Sequence, residues 1–433
     1  LLSAQPMLPL SETCIACYPA DPRDVFTELA LCLLDAGEPD QALRAVEHGA
    51  AFAAQRAGVM PHKQESAPGT DTTKQDPAPE PALALADNET AVTYVPDKDK
   101  LHILITRQGA VQNLSSATAR DTLRELAEDV LRHSSAGPLF DDHAARKLHQ
   151  TLLEPVEPFL RDSDTLVVMA HDFLATVPYA ALPDLEGRRF VEKHALAVLP
   201  DLATLGHLRR AGAAPPARLP HAVVAVQQKP ACSGRTLSLM PRDKCTVLTG
   251  SAFYTFRPAF ATGSRFVQGD YATTETIASH ITENTNTLHF ETRCFVDGLA
   301  PGHATVVLFA DREKNPAADT FKDLRNLLPG GAWPALVALP HCVPLHGRAQ
   351  SGAGYAMMIR NLLWRGASGV ITPVAPDRQT AAERLMLGFY ARLSAGTPPA
   401  QALRAAQIEM LQDPDFSDPA LWAPFIYSGI PSK

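Results

Sequence analysis

The stretch ALVALPHCVPLHGRAQSGAGYAMMIRNLLWRGASGVITPV, residues 335–374, contains the pattern that decides the fold. It opens with one short, continuous apolar run, Ala335–Leu339, and closes with another, Gly369–Val374. Such runs are typical of parallel strands that are buried on both faces. Residues 354–365 lie between them and have the spacing of a helix. The stretch therefore predicts a strand, a helix and a second strand, the repeating unit of an α/β protein.

The same alternation extends towards both ends of the chain. Further apolar runs predict strands at Thr165–Ala170, His221–Val226, Thr287–Phe290 and Thr305–Phe309. Helical patterns occupy residues 117–133, 142–161, 272–283, 379–394 and 399–412. Two more runs, Ala91–Val95 and Leu101–Thr106, are separated by a turn and predict a β-hairpin. We expect an α/β sandwich around a mostly parallel sheet.

The N-terminal part of the chain has a different character. Val25–Ala36 and Asp40–Ala57 have helical spacing and flank Gly37, which predicts a helical hairpin over residues 20–58. Residues 59–90 are rich in Pro, Ser, Thr and charge and predict a flexible linker. The remaining chain, 91–433, is expected to form the main domain, with a division between residues 218 and 219.

The hairpin resembles one tetratricopeptide (TPR) repeat. The resemblance rests on the bulky, small and turn residues that the repeat requires, namely Leu29, Ala30, Gly37, Ala42, Val46 and Gly49. The alternative is a generic helical hairpin. A single repeat cannot bury its own apolar face, so the resemblance implies that the chain is a piece of a longer array.

Charge and composition exclude several classes of function. The 433 residues include 39 Lys and Arg against 47 Asp and Glu, a net charge of −8. This balance argues against a nucleic-acid-binding protein or a polybasic membrane anchor. The sequence has no apolar run long enough to span a membrane and no basic leader at its start, so a cytoplasmic protein is expected.

Seven cysteines are scattered along the chain, an odd number that does not favour a disulfide framework. Reduced thiols in the cytoplasm are the expectation. Cys14 and Cys17 form a CxxC pair, but no second pair accompanies them, so a zinc site is not favoured. No metal or organic cofactor is predicted.

Reactive side chains in parallel sheets lie at the carboxyl ends of strands, which selects two places. One is the end of ALVALPHC, which puts Cys342 just beyond a strand and before a Gly-rich loop. The other is the end of TLHF, followed by the loop ETRCFVDG. Cys342 is a candidate nucleophile, for which a small buried apolar residue is the alternative.

Ordered motifs from residue 91 to residue 430 resemble the CHAT domain, a caspase- and separase-like peptidase domain found behind TPR arrays. Val177–Leu182 and Ala195–Pro200 match its front end, and DYATTETIASHITENTNTLHF matches the helix and strand before the catalytic His. The most specific part is the C-terminal series RGASGVI, FYARLSAGTPPAQALRAAQ and LWAPFIYSG. The resemblance implies a caspase-like three-layer α/β/α sandwich with a His/Cys catalytic pair.

Cys342 stands at the position of the catalytic Cys, but this chain has no histidine at the position of the catalytic His. The family writes roughly "lHfatHG" where this chain has LHFETRC, so Arg293 occupies the His position and Cys294 the Gly position. A guanidinium stays protonated and has no lone pair, so Arg293 cannot act as a general base. It could still lower the pKa of Cys342 by its charge.

Four other histidines are candidates to replace the missing base. His289 lies on the strand behind Arg293, and His341 neighbours Cys342 but would point to the opposite face of a strand. His346 and His303 lie in loops that could approach the site. Asp377 could be a carboxylate in a pocket for a basic side chain, but a helix N-cap before Gln379 is favoured.

These residues lead to a primary hypothesis and two alternatives. The first is a catalytically impaired pseudo-peptidase that binds a protein or peptide partner and joins a regulatory complex through its TPR segment. The second is an active cysteine endopeptidase that uses Cys342 and a non-standard base. The third is an α/β scaffold with no enzymatic descent, in which Cys342 would be buried.

Overall fold

The computed structural model of the chain describes most of the predicted elements. The described residues are 22–56, 85–134, 137–162, 164–213, 222–226, 255–268, 271–292, 294–296, 305–310, 319–323, 328, 333–344, 352–375 and 378–432. Some predictions fall outside these ranges. They concern Cys14, Cys17, Arg293, His303, His346, Asp377 and most of the linker over 59–90.

The N-terminal segment is a helical hairpin, as its periodicity predicts. Helix α1 spans Pro22–Asp35 and helix α2 spans Pro39–Arg56. Gly37 lies between them with a φ of +77°, in the left-handed region that glycine adopts without strain. Gly49 of α2 lies against Phe26 of α1, where a Cβ would sit 2.6 Å from the Phe26 Cβ, so the two helices pack closely.

A five-stranded mixed sheet follows the hairpin, in the order β3-β2-β1-β6-β7. Its strands are β1 Glu89–Pro96, β2 Leu101–Arg107, β3 Ala110–Ser116, β6 Thr165–Met169 and β7 Ala195–Leu199. The predicted hairpin is β1 and β2, which pair antiparallel, while β1, β6 and β7 run parallel. Strand β3 was not predicted, because it is rich in polar residues and every residue of it is exposed or half-buried.

The larger sheet has six strands in the order β17-β16-β14-β10-β8-β9. They are β8 Ala222–Val226, β9 Arg265–Gln268, β10 Thr287–Glu291, β14 Leu336–Ala338, β16 Gly369–Pro373 and β17 Phe425–Gly429. All neighbouring pairs are parallel except β16 with β17. The predicted α/β fold with a mostly parallel sheet is confirmed.

A smaller sheet corrects one strand assignment. Its order is β13-β12-β11-β15, with β11 Cys294–Val296, β12 Thr305–Ala310, β13 Asp319–Asp323 and β15 Cys342–Pro344. The sequence predicted residues 305–309 as a strand of the main parallel sheet. The strand exists, but it pairs antiparallel with both β11 and β13, since a short apolar run does not specify its partner.

Helices pack around the sheets and connect their strands. Those between β3 and β8 are α3 Arg120–Asp129, α4 Asp142–Leu148, α5 Phe190–Lys193 and α6 Leu202–Arg210. Those that follow are α7 Thr274–His280, α8 Gly352–Trp364, α9 Gln379–Ser394 and α10 Pro399–Gln412. A two-stranded ribbon pairs β4 Leu131–Ser134 with β5 Gly137–Phe140. No helix within the described ranges is both long enough and apolar enough to cross a membrane.

The helical hairpin is joined to the main domain by buried charges. Glu47 of α2 accepts hydrogen bonds from the backbone N–H groups of Leu202 (3.0 Å) and Ala203 (2.9 Å) at the start of α6. Asp201 caps the same helix through Thr204 N–H and forms an ion pair with Arg360 of α8. Burial raises the pKa of the Glu47 carboxyl, although the two N–H groups oppose this. The hairpin therefore shares a polar core with the main domain.

Candidate functional site

Two neighbouring strands of the main sheet pass directly into the smaller sheet. Strands β10 and β14 pair in parallel, and the strands that follow them along the chain, β11 and β15, also pair in parallel. In that second pairing Cys294 lies opposite Cys342. The predicted nucleophile position is therefore beyond the carboxyl end of a strand, as expected, but at the first residue of the next one.

Cys294 and Cys342 form a disulfide bond, with their Cα atoms 4.2 Å apart. Both residues are fully buried. The expectation of reduced thiols is wrong for this pair. The two residues are 48 positions apart, and only the parallel register of β11 and β15 brings their sulfurs into contact. A sulfur held in a disulfide is not a thiolate and cannot attack a carbonyl.

A buried polar cluster lies next to this disulfide. The Glu291 carboxylate bonds Nε2 of His289 (2.9 Å) and Nε2 of His341 (2.5 Å), and Nδ1 of His289 lies 2.8 Å from the Tyr390 hydroxyl oxygen. All three charged or titratable residues at its centre are about 1% exposed or less. His289 and Glu291 share one face of β10 because they are two positions apart. We call Glu291, His289, His341 and Tyr390 the glutamate cluster.

The charge of the glutamate cluster is set by its own contacts. Burial acts to raise the pKa of Glu291, but the charge of His341 and the hydrogen bonds from both imidazoles hold that pKa well below its usual range. Burial raises the pKa of Tyr390, so its hydroxyl keeps its proton at neutral pH. Glu291 is therefore an anion inside the protein, balanced by imidazole donors.

These contacts decide the roles of two of the candidate histidines, His289 and His341. His289 bonds through both ring nitrogens and packs against Phe256 at 4.6 Å between ring centroids, so it is a core residue. His341 lies in a turn before β15, not in the strand. The expectation that its side chain and that of Cys342 point to opposite faces of a strand therefore does not apply. Sequence reasoning missed Glu291, although the period-two spacing of His289 and Glu291 could have indicated it.

The helix that follows the Cys342 loop starts against another turn of the main domain. Gly352, the first residue of α8, lies over Asp172, and a Cβ at Gly352 would sit 1.9 Å from the Asp172 carbonyl oxygen. Asp172 has a φ of +50°, unusual for a residue with a side chain. The position of α8 therefore depends on the absence of a side chain at Gly352.

We expect Gly352→Ala to destabilise the protein by about 2 kcal/mol or more, because two backbone segments must separate. Urea denaturation followed by circular dichroism measures this loss. Gly388→Ala is the control, since the nearest atom to a Cβ there is the Ala406 Cβ at 3.3 Å and alanine favours a helix. An equal effect of the two substitutions would contradict the close packing of α8 on Asp172.

Two further predictions concern metal ligands and the residue that precedes helix α9. In the part of the chain that the structure covers, no three His, Cys, Asp or Glu side chains are grouped so as to hold a metal ion. The predicted helix N-cap at Asp377 is corrected in position. Helix α9 begins at Gln379, so Arg378 is the N-cap residue, and it makes no side-chain capping bond.

Comparison with solved structures shows where this fold recurs. Saccharomyces cerevisiae separase, solved in complex with securin, superposes with TM-scores of 0.56 and 0.53 in two crystal structures. Sequence identity is 8% in both, and the match covers 97% of this chain. This chain spans only about 36% of the length of the separase chain. At this identity the likeness establishes the fold alone.

Gingipain R, an Arg-specific cysteine proteinase, matches more distantly, with a TM-score of 0.40 and 8% identity over 72% of this chain and 74% of gingipain. No curated protein matches by sequence. The match to the CHAT domain family covers residues 142–430, which leaves out the helical hairpin, so the TPR resemblance has no support from relatives. Because the match extends over about two thirds of the sequence, the chain belongs to the CHAT domain family.

Proposed function

We propose that this protein is a catalytically impaired CHAT-domain pseudo-peptidase that acts by binding a protein or peptide. The observation that carries the proposal is the Cys294–Cys342 disulfide. In this disulfide the sulfur of Cys342, the residue that matches the family's nucleophile, is covalently bonded to Cys294. A peptidase of this class needs that sulfur as a thiolate to form an acyl-enzyme.

The sequence around the disulfide supports the same conclusion. Arg293 stands where the family has its catalytic His, and an arginine can neither accept the thiol proton nor return one to the leaving amine. Cys294 stands where the family has Gly, and it is the partner that holds Cys342. Two changes in adjacent residues thus remove the base and occupy the nucleophile.

A protein partner fits a module of this kind better than a small substrate does. Separase, which shares the fold, is solved in complex with the protein securin. For this chain we infer a binding role in which the retained sheet and its helices present a surface for a protein or peptide. We also propose that the helical hairpin joins the protein to a regulatory complex.

One observation favours the alternative of an active endopeptidase. His341 immediately precedes Cys342 and is oriented by the Glu291 carboxylate at 2.5 Å, an arrangement that holds an imidazole in one tautomer. If the disulfide were reduced, His341 in its neutral form would be the candidate base. The decisive experiment must therefore include the reduced protein.

The test is a cleavage assay on a proteome-derived peptide library, read by mass spectrometry, with the protein in the reduced and the oxidised form. We expect the wild type to give the same peptide profile as Cys342→Ser under both conditions. Cleavage that appears on reduction and is absent in Cys342→Ser would overturn the proposal and establish the endopeptidase.

A matched variant verifies that the assay can detect a CHAT-domain activity. Arg293→His with Cys294→Gly rebuilds the family motif and frees Cys342. Native mass determination with and without a phosphine reductant reports whether the disulfide is formed in each sample.

A further inference from the structure

Strand β3 is the outer strand of the five-stranded sheet, and no strand within the described ranges pairs with its other edge. It spans Ala110–Ser116, and all of its residues are exposed or half-buried. The whole strand pairs with β2 in one continuous antiparallel register, from Arg107 opposite Ala110 to Leu101 opposite Ser116. The strand is therefore long and regular, and it lies at the surface.

The turn before β3 fixes which of its backbone groups face outward. Gln108 and Gly109 have φ values of +48° and +84°, as in a two-residue turn of type I′. The residues that flank such a turn, here Arg107 and Ala110, bond each other through both of their backbone groups. Along the strand, the N–H and C=O groups of alternate residues then point towards β2 and away from it. Those that point away belong to Val111, Asn113 and Ser115.

The sequence of β3 does nothing to prevent pairing with another chain. Edge strands of soluble proteins usually carry a charge, a proline or a bulge that blocks such pairing, or they are very short. Strand β9, at the edge of the larger sheet, has four residues and includes the exposed Arg265. Strand β3 reads AVQNLSS, with no charged residue and no proline, and its register with β2 has no bulge. Its free edge is therefore open to the addition of a further strand.

The free edge of β3 is complementary to itself. When two copies pair antiparallel about a two-fold axis at Asn113, this residue faces its own counterpart and Val111 faces Ser115 of the other copy. Each outward N–H group then donates to an outward C=O group of the other strand, so that none of these groups remains unpaired. A charge at the axis of a two-fold interface would face its own copy, and β3 has no charge to do so.

We propose that two copies of this chain associate through β3, which joins their five-stranded sheets into one continuous sheet across a two-fold axis at Asn113. The partner is a second copy because one uncharged edge supplies both halves of the contact. The contact is separate from Cys342, which belongs to another sheet. One pair of strands is a small interface, so we expect a weak dimer with a dissociation constant above about 1 µM.

The test is sedimentation-velocity ultracentrifugation of the full chain over a range of concentrations. We expect the wild type to shift from one copy to two as the concentration rises. Asn113→Lys should weaken this association by about tenfold or more, since two ammonium groups then face each other across the axis. Gln112→Lys is the matched control, because the same charge then lies opposite Leu114 of the other copy. It should change the dissociation constant by less than about threefold.

A pair of opposite charges locates the axis. Asn113→Asp should also weaken the dimer when measured alone, whereas an equal mixture of Asn113→Lys and Asn113→Asp should restore it, because opposite charges then meet. Asn113 is exposed, so each variant should keep the wild-type circular dichroism spectrum. A wild type that stays monomeric at the highest concentration that remains in solution would overturn the proposal. An unchanged dimer in Asn113→Lys, or a mixture that does not associate, would overturn it as well.

Discussion

Arg360→Met should destabilise the protein by about 3 kcal/mol or more, the magnitude expected when a buried ion pair loses one partner. Arg360 is 3% exposed, forms an ion pair with Asp201, and donates to the backbone oxygen of Ala50 at 2.7 Å. Its loss leaves the Asp201 carboxylate buried without that cation, and Glu47 loses a neighbouring positive charge as well. Urea denaturation at neutral pH measures the effect.

An exposed ion pair provides the control for Arg360. Arg384 bonds Glu409 at 2.5 Å, and both side chains are more than a third exposed. Arg384→Met should therefore change the free energy of unfolding by less than about 1 kcal/mol. A double-mutant cycle of Arg360→Met with Asp201→Asn isolates the pair. A coupling near zero would show that Arg360 stabilises the protein through other contacts.

Glu291→Gln should also destabilise the protein strongly, by about 3 kcal/mol at neutral pH, because two buried imidazoles lose their shared anion. The glutamate cluster also gives the effect a pH dependence. The pKa of Glu291 in the folded state lies below its ordinary value of 4.5. A carboxyl with a depressed folded pKa stabilises the protein fully above its unfolded pKa, and this stabilisation falls as the pH falls towards the folded value.

The difference in unfolding free energy between wild type and Glu291→Gln should therefore be near its full value at about pH 5.5 and shrink below about pH 4.5. Urea denaturation at a series of pH values measures this difference. Glu186→Gln is the control, since the Glu186 side chain is 65% exposed and its substitution should leave stability within about 0.5 kcal/mol. A difference that is independent of pH would show that Glu291 is not held as an anion.

The sequence predicted the parallel sheet because its strands have a local signature. Residues 287–290, 335–339 and 369–374 are apolar runs, and each contains or overlaps a strand of the six-stranded sheet. The helical hairpin was predicted for the same reason, through the spacing of Phe26, Ala30 and Leu34. Local sequence patterns indicate burial and periodicity, and these two properties are sufficient to predict the fold class.

Pairing across the chain was not predictable in the same way. Strands β11 and β15 are three residues each, too short for a pattern, and their register decides that Cys294 meets Cys342. The glutamate cluster likewise joins residues from three separate segments, including Tyr390 of α9. The position of Cys342 beyond a strand was found from the sequence, but its chemical state depends on a contact that no single segment encodes.

The Cys294–Cys342 link also limits the unfolded chain. It closes a loop across a separation of 48 residues, which by the chain-entropy relation lowers the conformational entropy of the denatured ensemble by the equivalent of about 4 kcal/mol at 25 °C. The loop contains β12, β13 and β14. In the denatured chain these segments therefore have fewer accessible conformations before β10 and β14 pair. In the oxidised chain, this closure favours the step that aligns the centre of the parallel sheet.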